Sequence, residues 1–181
     1  WAVVHAGAGF AETARYNRLT KENYPPWYEQ KLWGLHDTPG YLRNLFNLKV
    51  IAYSGEIDKQ KQAADLMTEA FVAEGRELSH LIGPKMGHKY DDSSKTKILS
   101  FIEKALFVRR NRFPDKIHLQ TRTLKYNRMR WVYLSGLVEH WRDSRVDADF
   151  DSQEGITVKT KNVSSLILTN PHISCCSKLH G

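Results

Sequence analysis

Two successive strand–turn–helix patterns constrain the fold of this chain more than any other feature. Each begins with a short apolar run, Lys49–Ser54 in the first pattern and Leu78–Ile82 in the second. A helix-like stretch follows each run, Lys59–Glu74 and then Ser93–Phe107, with apolar residues at intervals of three and four. Strands and helices that alternate at these lengths predict parallel strands joined by right-handed crossovers. We therefore predict an α/β fold for this part of the chain.

Each predicted helix has, at one of its ends, a residue that commonly caps helices. Gly75 follows the first helix, where glycine commonly takes the left-handed C-cap conformation. Asp91 or Asp92 can cap the N-terminus of the second helix. Before the two patterns, Trp1–His5 reads as a further strand, and the turn-rich segment Lys21–Leu48 contains two short predicted helices. These helices are Trp27–Trp33 and Tyr41–Phe46, separated by the turn Asp37–Gly40.

The pattern changes after Arg110, and from Lys116 onward short strand-like segments replace helices. They are Ile117–Leu124, Arg130–Trp141, Arg145–Phe150, Ile156–Lys161 and Val163–Thr169, with turns at Tyr126–Arg128, Asp151–Gly155 and Lys161–Asn162. In the third segment Val146, Ala148 and Phe150 alternate with charged residues, which is typical of a half-exposed strand. We predict three parts: residues 1–110, a small antiparallel, sandwich-like β-rich domain over 115–170, and a tail over 171–181.

The composition narrows the classes of partner. The net charge of +7 is spread along the chain without a block of like charges, which does not favour nucleic acid as a partner. No apolar run approaches the roughly 20 residues that a membrane span needs. The two cysteines, Cys175 and Cys176, are adjacent, which favours neither a disulfide framework nor a thiolate metal site. The Gly7-Ala8-Gly9 turn lacks the third glycine of a nucleotide-binding loop, because position 12 is Glu12, and we predict no cofactor.

An acid and a base follow the two strands at matching places. Asp58 lies in the turn after the first strand, and His88 lies in the loop after the second. The carboxyl ends of neighbouring parallel strands meet at one edge of a sheet, so the two side chains are expected to be close. In a nucleophilic triad the carboxylate orients the histidine, which accepts the proton of the nucleophile. Gly87 is predicted to let the loop turn sharply, and Glu56 is a second carboxylate candidate.

Two other interpretations of these residues remain open. Taken singly, an aspartate after a strand is commonly a helix cap or turn residue, and a loop histidine is commonly only exposed. A metal site is the other alternative, with His80, His88, Asp91 and Asp92 as its ligands. Because His80 lies inside a strand and lacks the partner spacing of an H-E-x-x-H motif, the acid–base pair is the favoured interpretation.

The residues around the pair resemble a known family. The runs Val50–Asp58 (VIAYSGEID) and Met86–Tyr90 (MGHKY) are similar to the C-terminal half of α/β-hydrolases of the prolyl-oligopeptidase-like group, serine peptidases and related esterases. The opening run WAVVHAGAGF resembles the strand after the nucleophile helix, so the resemblance covers about residues 1–107. It implies a partial α/β-hydrolase-type parallel sheet with flanking helices, and a peptide or ester substrate. It also implies that Asp58 is the triad acid and His88 the triad base, with Glu56 and Tyr90 as secondary candidates. The later β-rich part resembles an extension of some bacterial members.

The nucleophile of that group is missing from the chain. It sits in a G-x-S-x-G turn, and none of the serines, including Ser54, Ser79 and Ser135, has these neighbours. We therefore expect a fragment of a serine hydrolase that supplies acid and base and is inactive alone. The chain is expected to start inside a longer one, whose missing N-terminal half is its natural partner. Because that half would cover the strand at Trp1–His5, self-association is expected.

A non-catalytic interaction module is the alternative function. The β-rich part carries basic and aromatic side chains that could bind a protein, a glycan or a nucleic acid. They are Arg122, Lys125, Tyr126, Arg128, Arg130, Trp131 and Tyr133. The same residues are also explained by a sheet that exposes one face to solvent and buries its aromatic side chains on the other face.

Overall fold

The computed structural model of the chain describes residues 2–108, 111 and 113–169. The chain divides into two compact units, Trp1–Arg110 and Asn111–Gly181, and each is described by itself. Within the described ranges no helix combines the length and the apolar character that a membrane crossing requires. Three predictions, on Trp1, on the adjacent cysteines and on the tail over 171–181, lie outside the described residues.

A three-stranded parallel sheet forms the centre of the first unit. Its strands are β1 (Val3–Ala6), β2 (Lys49–Gly55) and β3 (Ser79–Gly83), in the order β1-β2-β3. With the helices between the strands, the unit has the predicted α/β character. Strand β1 lies at one end of this order, and its only partner among the described residues is β2.

The described residues of this unit also form four α-helices and two 3₁₀ segments. They are α1 (Thr13–Tyr16), α2 (Trp27–Trp33), α3 (Lys61–Ala73) and α4 (Asp92–Phe107), with 3₁₀ turns at Lys21–Asn23 and Thr38–Asn47. The prediction of a turn at Asp37–Gly40 before a helix was wrong, because Thr38 already begins the 3₁₀ segment. Pro39 lacks an N–H group, which the first turn of a helix does not need.

Both predicted helix caps have a clear structural basis. Gly75 follows α3 with a φ of +68°, and its N–H donates to the Val72 carbonyl at 2.9 Å. The next N–H, of Arg76, donates to the Phe71 carbonyl at 2.9 Å, which completes a Schellman motif. At the start of α4, Asp91 is the cap, because its Oδ1 accepts the Ser94 N–H at 2.9 Å.

The two faces of the parallel sheet are different. Successive side chains of a strand point to opposite faces, and Ile51 and Tyr53 of β2 pack with Ile98 of α4. On the opposite face, Ala52 lies beside Ala64 of α3 in the lining of an apolar cavity. The face toward α4 is thus a packed core, and the face toward α3 borders a partly open apolar space.

The described part of the second unit contains six strands in two antiparallel sheets. One sheet has the order β4-β7-β8, and the other has the order β5-β6-β9. The strands are β4 (Lys116–Thr121), β5 (Arg128–Met129), β6 (Val132–Leu137), β7 (Ser144–Asp151), β8 (Gly155–Lys161) and β9 (Val163–Leu168). Their inner faces share one apolar cluster, whose centre is Ile117, Val132, Leu134 and Val146, all with 0% exposure. Val146 and Ala148 are buried as their alternation predicts.

Two predicted strands of this unit are shorter in the structure. The segment Ile117–Leu124 ends as a strand at Thr121, whose hydroxyl donates to the Thr123 carbonyl at 2.8 Å and turns the chain. The segment Arg130–Trp141 contributes only β6, which ends at Leu137, the register partner of the first residue of β9, and a register shift around Gly136 makes the pairing irregular. Beyond β6, Trp141 takes a φ of +69°. Period-two patterns alone do not locate such bulges.

One predicted turn of this unit lies slightly elsewhere. The sequence places it at Tyr126–Arg128, but Leu124–Tyr126 forms a 3₁₀ turn and Arg128 already belongs to β5. The connection between β5 and β6 is made by Arg130, which has a φ of +55°. A positive φ is uncommon for arginine, so the sequence does not indicate this turn.

Candidate acid–base site

The turns that follow β2 and β3 are fastened to each other by backbone hydrogen bonds. Gly55 and Gly83 are register partners, so both strands end at the same level. Beyond them, the Glu56 N–H donates to the Gly83 carbonyl at 2.9 Å, and the Ile57 N–H donates to the Met86 carbonyl at 3.0 Å. The two turns are therefore a continuation of the parallel ladder.

This close approach requires a glycine at position 55. A Cβ atom there would lie 2.2 Å from the carbonyl oxygens of both Met86 and Gly87. Gly87 itself has open space around the corresponding position, and it does not have a left-handed φ. The residue with the left-handed φ, +54°, is Lys85. The prediction that Gly87 provides the sharp turn was therefore wrong, since Lys85 turns the chain and Gly55 makes the room.

Asp58 and His88 meet where these turns end. His88 Nδ1 lies 2.9 Å from Asp58 Oδ2, and the Gln60 N–H donates to Asp58 Oδ1 at 2.8 Å. The Asp58 side chain is 5% exposed, whereas the His88 side chain is 66% exposed. A carboxylate only accepts hydrogen bonds, so Nδ1 of His88 carries the proton in this pair. The carboxylate is held in place, and the other ring nitrogen, Nε2, belongs to an imidazole that solvent reaches.

The two secondary candidates, Glu56 and Tyr90, make contacts that hold the two turns in place. Glu56 Oε2 accepts the Lys85 N–H at 2.7 Å, so this carboxylate joins the acid turn to the base turn. The Tyr90 ring stacks on Tyr53, with 4.4 Å between ring centroids and 25° between the planes. Tyr53 is 3% exposed, and its hydroxyl donates to the Lys89 carbonyl at 2.9 Å. Sequence reasoning missed this role of Tyr53, since its only signal is a hydroxyl on an otherwise apolar strand.

The alternative metal ligands are not brought together. His80 bonds elsewhere, and Asp91 is committed to the cap of α4. Among residues 2–108, 111 and 113–169, no group of three or more His, Cys, Asp or Glu side chains could hold a metal ion.

His80 belongs to a polar cluster, partly buried and partly open to solvent, that the sequence did not indicate. Its Nε2 lies 2.7 Å from Ser54 Oγ, and its Nδ1 lies 4.0 Å from Asp65 Oδ1. Lys61 Nζ contacts the same carboxylate at 2.6 Å. Burial lowers the pKa of His80, although the Asp65 carboxylate opposes this shift. Because Ser54 is 0% exposed, no substrate reaches its hydroxyl, and the cluster joins α3 to the sheet.

No serine or cysteine in the part of the chain that the structure describes forms a hydrogen bond with His88. The acid–base pair is thus present without a neighbouring nucleophile in the described residues. The chemistry that the pair offers is proton transfer at His88 Nε2, assisted by the charge of Asp58.

One residue of the alternative interaction surface is a core residue. Trp131 is 1% exposed, and its indole N–H donates to the Pro114 carbonyl at 2.7 Å. It therefore cannot stack on a ligand. Tyr126 and Tyr133 are 46% and 37% exposed, and Lys125 Nζ lies 5.6 Å from the Tyr126 ring centroid. The interaction module stays a prediction, and Tyr126 and Tyr133 are the aromatic residues of its proposed surface that remain exposed.

Comparison with protein-family models, with curated proteins and with solved structures finds no match to this chain.

Proposed function

We propose that the first unit supplies the acid–base half of a serine-hydrolase site, with His88 as general base and Asp58 as its orienting carboxylate. The observation that carries the proposal is the asymmetry of the pair. The carboxylate is buried and bonded to both Gln60 and His88, while the imidazole is exposed. Such a carboxylate fixes the ring tautomer and stabilises the imidazolium that forms when Nε2 takes a proton.

The proposed chemistry is acyl transfer from a peptide or an ester. His88 Nε2 would take the proton of a serine hydroxyl as that oxygen attacks the substrate carbonyl, and would then give the proton to the leaving group. The 181 residues contain no G-x-S-x-G turn. The nucleophile and the oxyanion hole would therefore come from a polypeptide segment outside this sequence, as the resemblance to α/β-hydrolases implies.

The orientation of His88 can be tested without any substrate. We expect the neutral ring of His88 to carry its proton on Nδ1, whereas free histidine prefers Nε2. Long-range ¹H–¹⁵N spectra distinguish the two tautomers. In Asp58→Ala the Nδ1–H tautomer should lose its acceptor, so the population should move toward Nε2–H. If the wild-type ring is already the Nε2–H tautomer, His88 is not oriented as a general base.

The catalytic part of the proposal needs an activity measurement. We expect no saturable hydrolysis of p-nitrophenyl acetate by the 181-residue chain, because the covalent step lacks its nucleophile. The same assay on a polypeptide extended by the upstream coding sequence should show turnover. In that longer polypeptide, His88→Ala should reduce kcat by at least about a thousandfold. An equally active His88→Ala variant would contradict the assignment.

A further inference from the structure

An apolar cavity lies in the first unit, on the face of the parallel sheet opposite α4. Its volume is about 220 Å³, and fifteen residues from β1, β2, α3, the 3₁₀ segment Thr38–Asn47 and the adjoining loops line it. Protein interiors usually contain few voids larger than a water molecule. This space is partly open to the surface, and a partly open space with an almost entirely apolar lining can bury an apolar ligand.

Small side chains create the space. Seven of the fifteen lining residues are glycine or alanine, among them Ala52 on the sheet and Ala64 on α3. Larger apolar side chains, such as Met67 and Phe71, form the remaining wall. The cavity thus has an apolar wall on both sides.

The lining offers no charge and no spare polar group for a ligand to bind. None of the fifteen residues is titratable, and the single hydroxyl belongs to Thr38. Its Oγ1 and its backbone N–H both donate to the Ala11 carbonyl, each at 2.8 Å. A charged or strongly polar ligand would lose its hydration without replacement, which is costly. An uncharged hydrocarbon loses nothing of this kind.

Four of the fifteen lining residues are exposed. Ala6, Gly7 and Phe10 lie at or just after the carboxyl end of β1, and the fourth, Thr38, bonds to Ala11, the residue after Phe10. Phe10 is 42% exposed. A ligand could therefore enter at the edge of the sheet where the strands end. Gly7 also adjoins Tyr90, since a Cβ atom on Gly7 would lie 3.0 Å from the Tyr90 hydroxyl.

We propose that this cavity is a binding site for an uncharged hydrocarbon group, either a single aromatic ring or a short alkyl chain. Enclosed apolar cavities of roughly 150 Å³ stay dry and take up benzene. The larger volume here suits a ring that carries one or two carbon substituents. The site uses neither Asp58 nor His88, so it stands or falls independently of the hydrolase proposal.

The test is titration of the chain with toluene, followed by calorimetry and by saturation-transfer NMR. We expect one molecule to bind per chain with a Kd that is roughly millimolar or tighter. Ala64→Leu places three additional carbon atoms in the cavity and should weaken binding about tenfold or more. Ala73→Leu is the matched control, because Ala73 is exposed on the same helix and does not line the cavity. His88→Ala should bind toluene like the wild type.

Two further measurements make the outcome decisive. Ala52→Val narrows the cavity from the sheet side, so a loss of binding in this variant replaces the result from Ala64→Leu if the latter does not fold, as judged by circular dichroism. Benzoate and benzylammonium, which resemble toluene in shape but are charged, should not bind. The proposal is overturned if toluene does not bind up to its solubility, if the folded narrowed variants bind it unchanged, or if benzoate binds equally well.

Discussion

Two hydrogen-bonded histidine–aspartate pairs in the described part of the molecule are similar in sequence spacing and different in setting. His88 and Asp58 are thirty residues apart, and their atoms are 2.9 Å apart. His118 and Asp147 are twenty-nine residues apart, with 2.6 Å between Nδ1 and Oδ1. In the first pair the aspartate is 5% exposed and the histidine 66%, whereas in the second the values are 36% and 19%. The buried partner is thus the carboxylate in one pair and the ring in the other.

The difference shows that a short distance alone does not mark a site. His118 and Asp147 are register partners on adjacent antiparallel strands, so sheet pairing alone brings them together. Lys116 and Asp149 form a similar contact at 2.7 Å two residues along the same strands. Asp58 and His88, in contrast, lie in turns beyond the ends of parallel strands. There the carboxylate is buried and the ring is accessible, which is the arrangement that proton transfer to a substrate requires.

The largest change in the free energy of unfolding should come from disrupting the turns that hold Asp58 and His88. Gly55→Ala forces a Cβ atom against two carbonyl oxygens, and it should lower the free energy of unfolding by about 3 kcal/mol. Gly87→Ala is the matched control, and it should change this free energy by less than about 1 kcal/mol, because nothing lies within 4 Å of the added atom. Urea denaturation measures both. Equal losses in the two variants would show that the turns do not approach each other as described.

The two aspartates should differ by a smaller amount. Asp58→Ala removes a buried carboxylate and leaves the Gln60 N–H without its acceptor, so we expect a loss of about 2 kcal/mol. Asp147→Ala removes a partly exposed carboxylate and should cost less than about 1 kcal/mol. Amide hydrogen exchange in β2 and β7 reports the two units separately. A larger loss at Asp147 would reverse the comparison.

A third histidine gives a pH dependence of stability. Burial lowers the pKa of His80 below its ordinary value of 6.5, and burial also lowers the pKa of His5. The unfolded chain therefore binds protons that the folded unit does not. The contribution to stability is complete above the unfolded pKa and is lost as the pH falls through the folded pKa.

The measurement is urea denaturation of the wild type and of His80→Gln at several pH values between about 7.5 and 5.5. The wild-type free energy of unfolding should decrease toward the lower pH. The groups that face His80 are Ser54, Asp65 and Lys61, and glutamine keeps a hydrogen-bonding group among them without titrating. The slope should therefore be shallower in the variant, with the remainder attributed to His5. A steeper slope in His80→Gln than in the wild type would speak against a neutral buried ring.

The smallest effect is expected on the charged face of the second unit. Lys116→Met removes the exposed partner of Asp149, and exposed ion pairs are weak and screened by salt. We expect no measurable change in the denaturation midpoint of this unit at physiological ionic strength. A lower denaturation midpoint at low salt that returns to the wild-type value in high salt would show that the ion pairs of this face contribute to stability. It would also reduce the difference between this face and the Asp58–His88 pair.

Much of the fold could be predicted because the signals are local. The period of the apolar residues indicates α3 and α4, Gly75 marks the end of a helix, and Val146 and Ala148 alternate as a half-buried strand should. Each of these signals depends on residues within a few positions of one another. The sequence also indicated Asp58 and His88, because each follows a strand and consecutive parallel strands tend to be neighbours.

The parts that could not be predicted depend on contacts between distant residues. Gly55 is needed only because the turn after β3 passes next to it, and nothing in its own segment indicates this. Trp131 was assigned to a possible binding surface, but the Pro114 carbonyl and the apolar cluster hold it inside. The contact between His80 and Ser54 joins two strands whose register is not visible in the sequence. Local patterns predict which elements form, whereas burial and register decide what each side chain does.

The fastening of the two turns also has a kinetic consequence. The N–H groups of Glu56, Ile57 and Lys85 bond across from one turn to the other. Surface loops commonly rearrange within nanoseconds to microseconds. Here the backbone separation of the two turns can change only if these bonds open, which is a local unfolding event. A molecule that encounters the pair would therefore find the two turns already in place, and only the exposed His88 ring would be left to rotate.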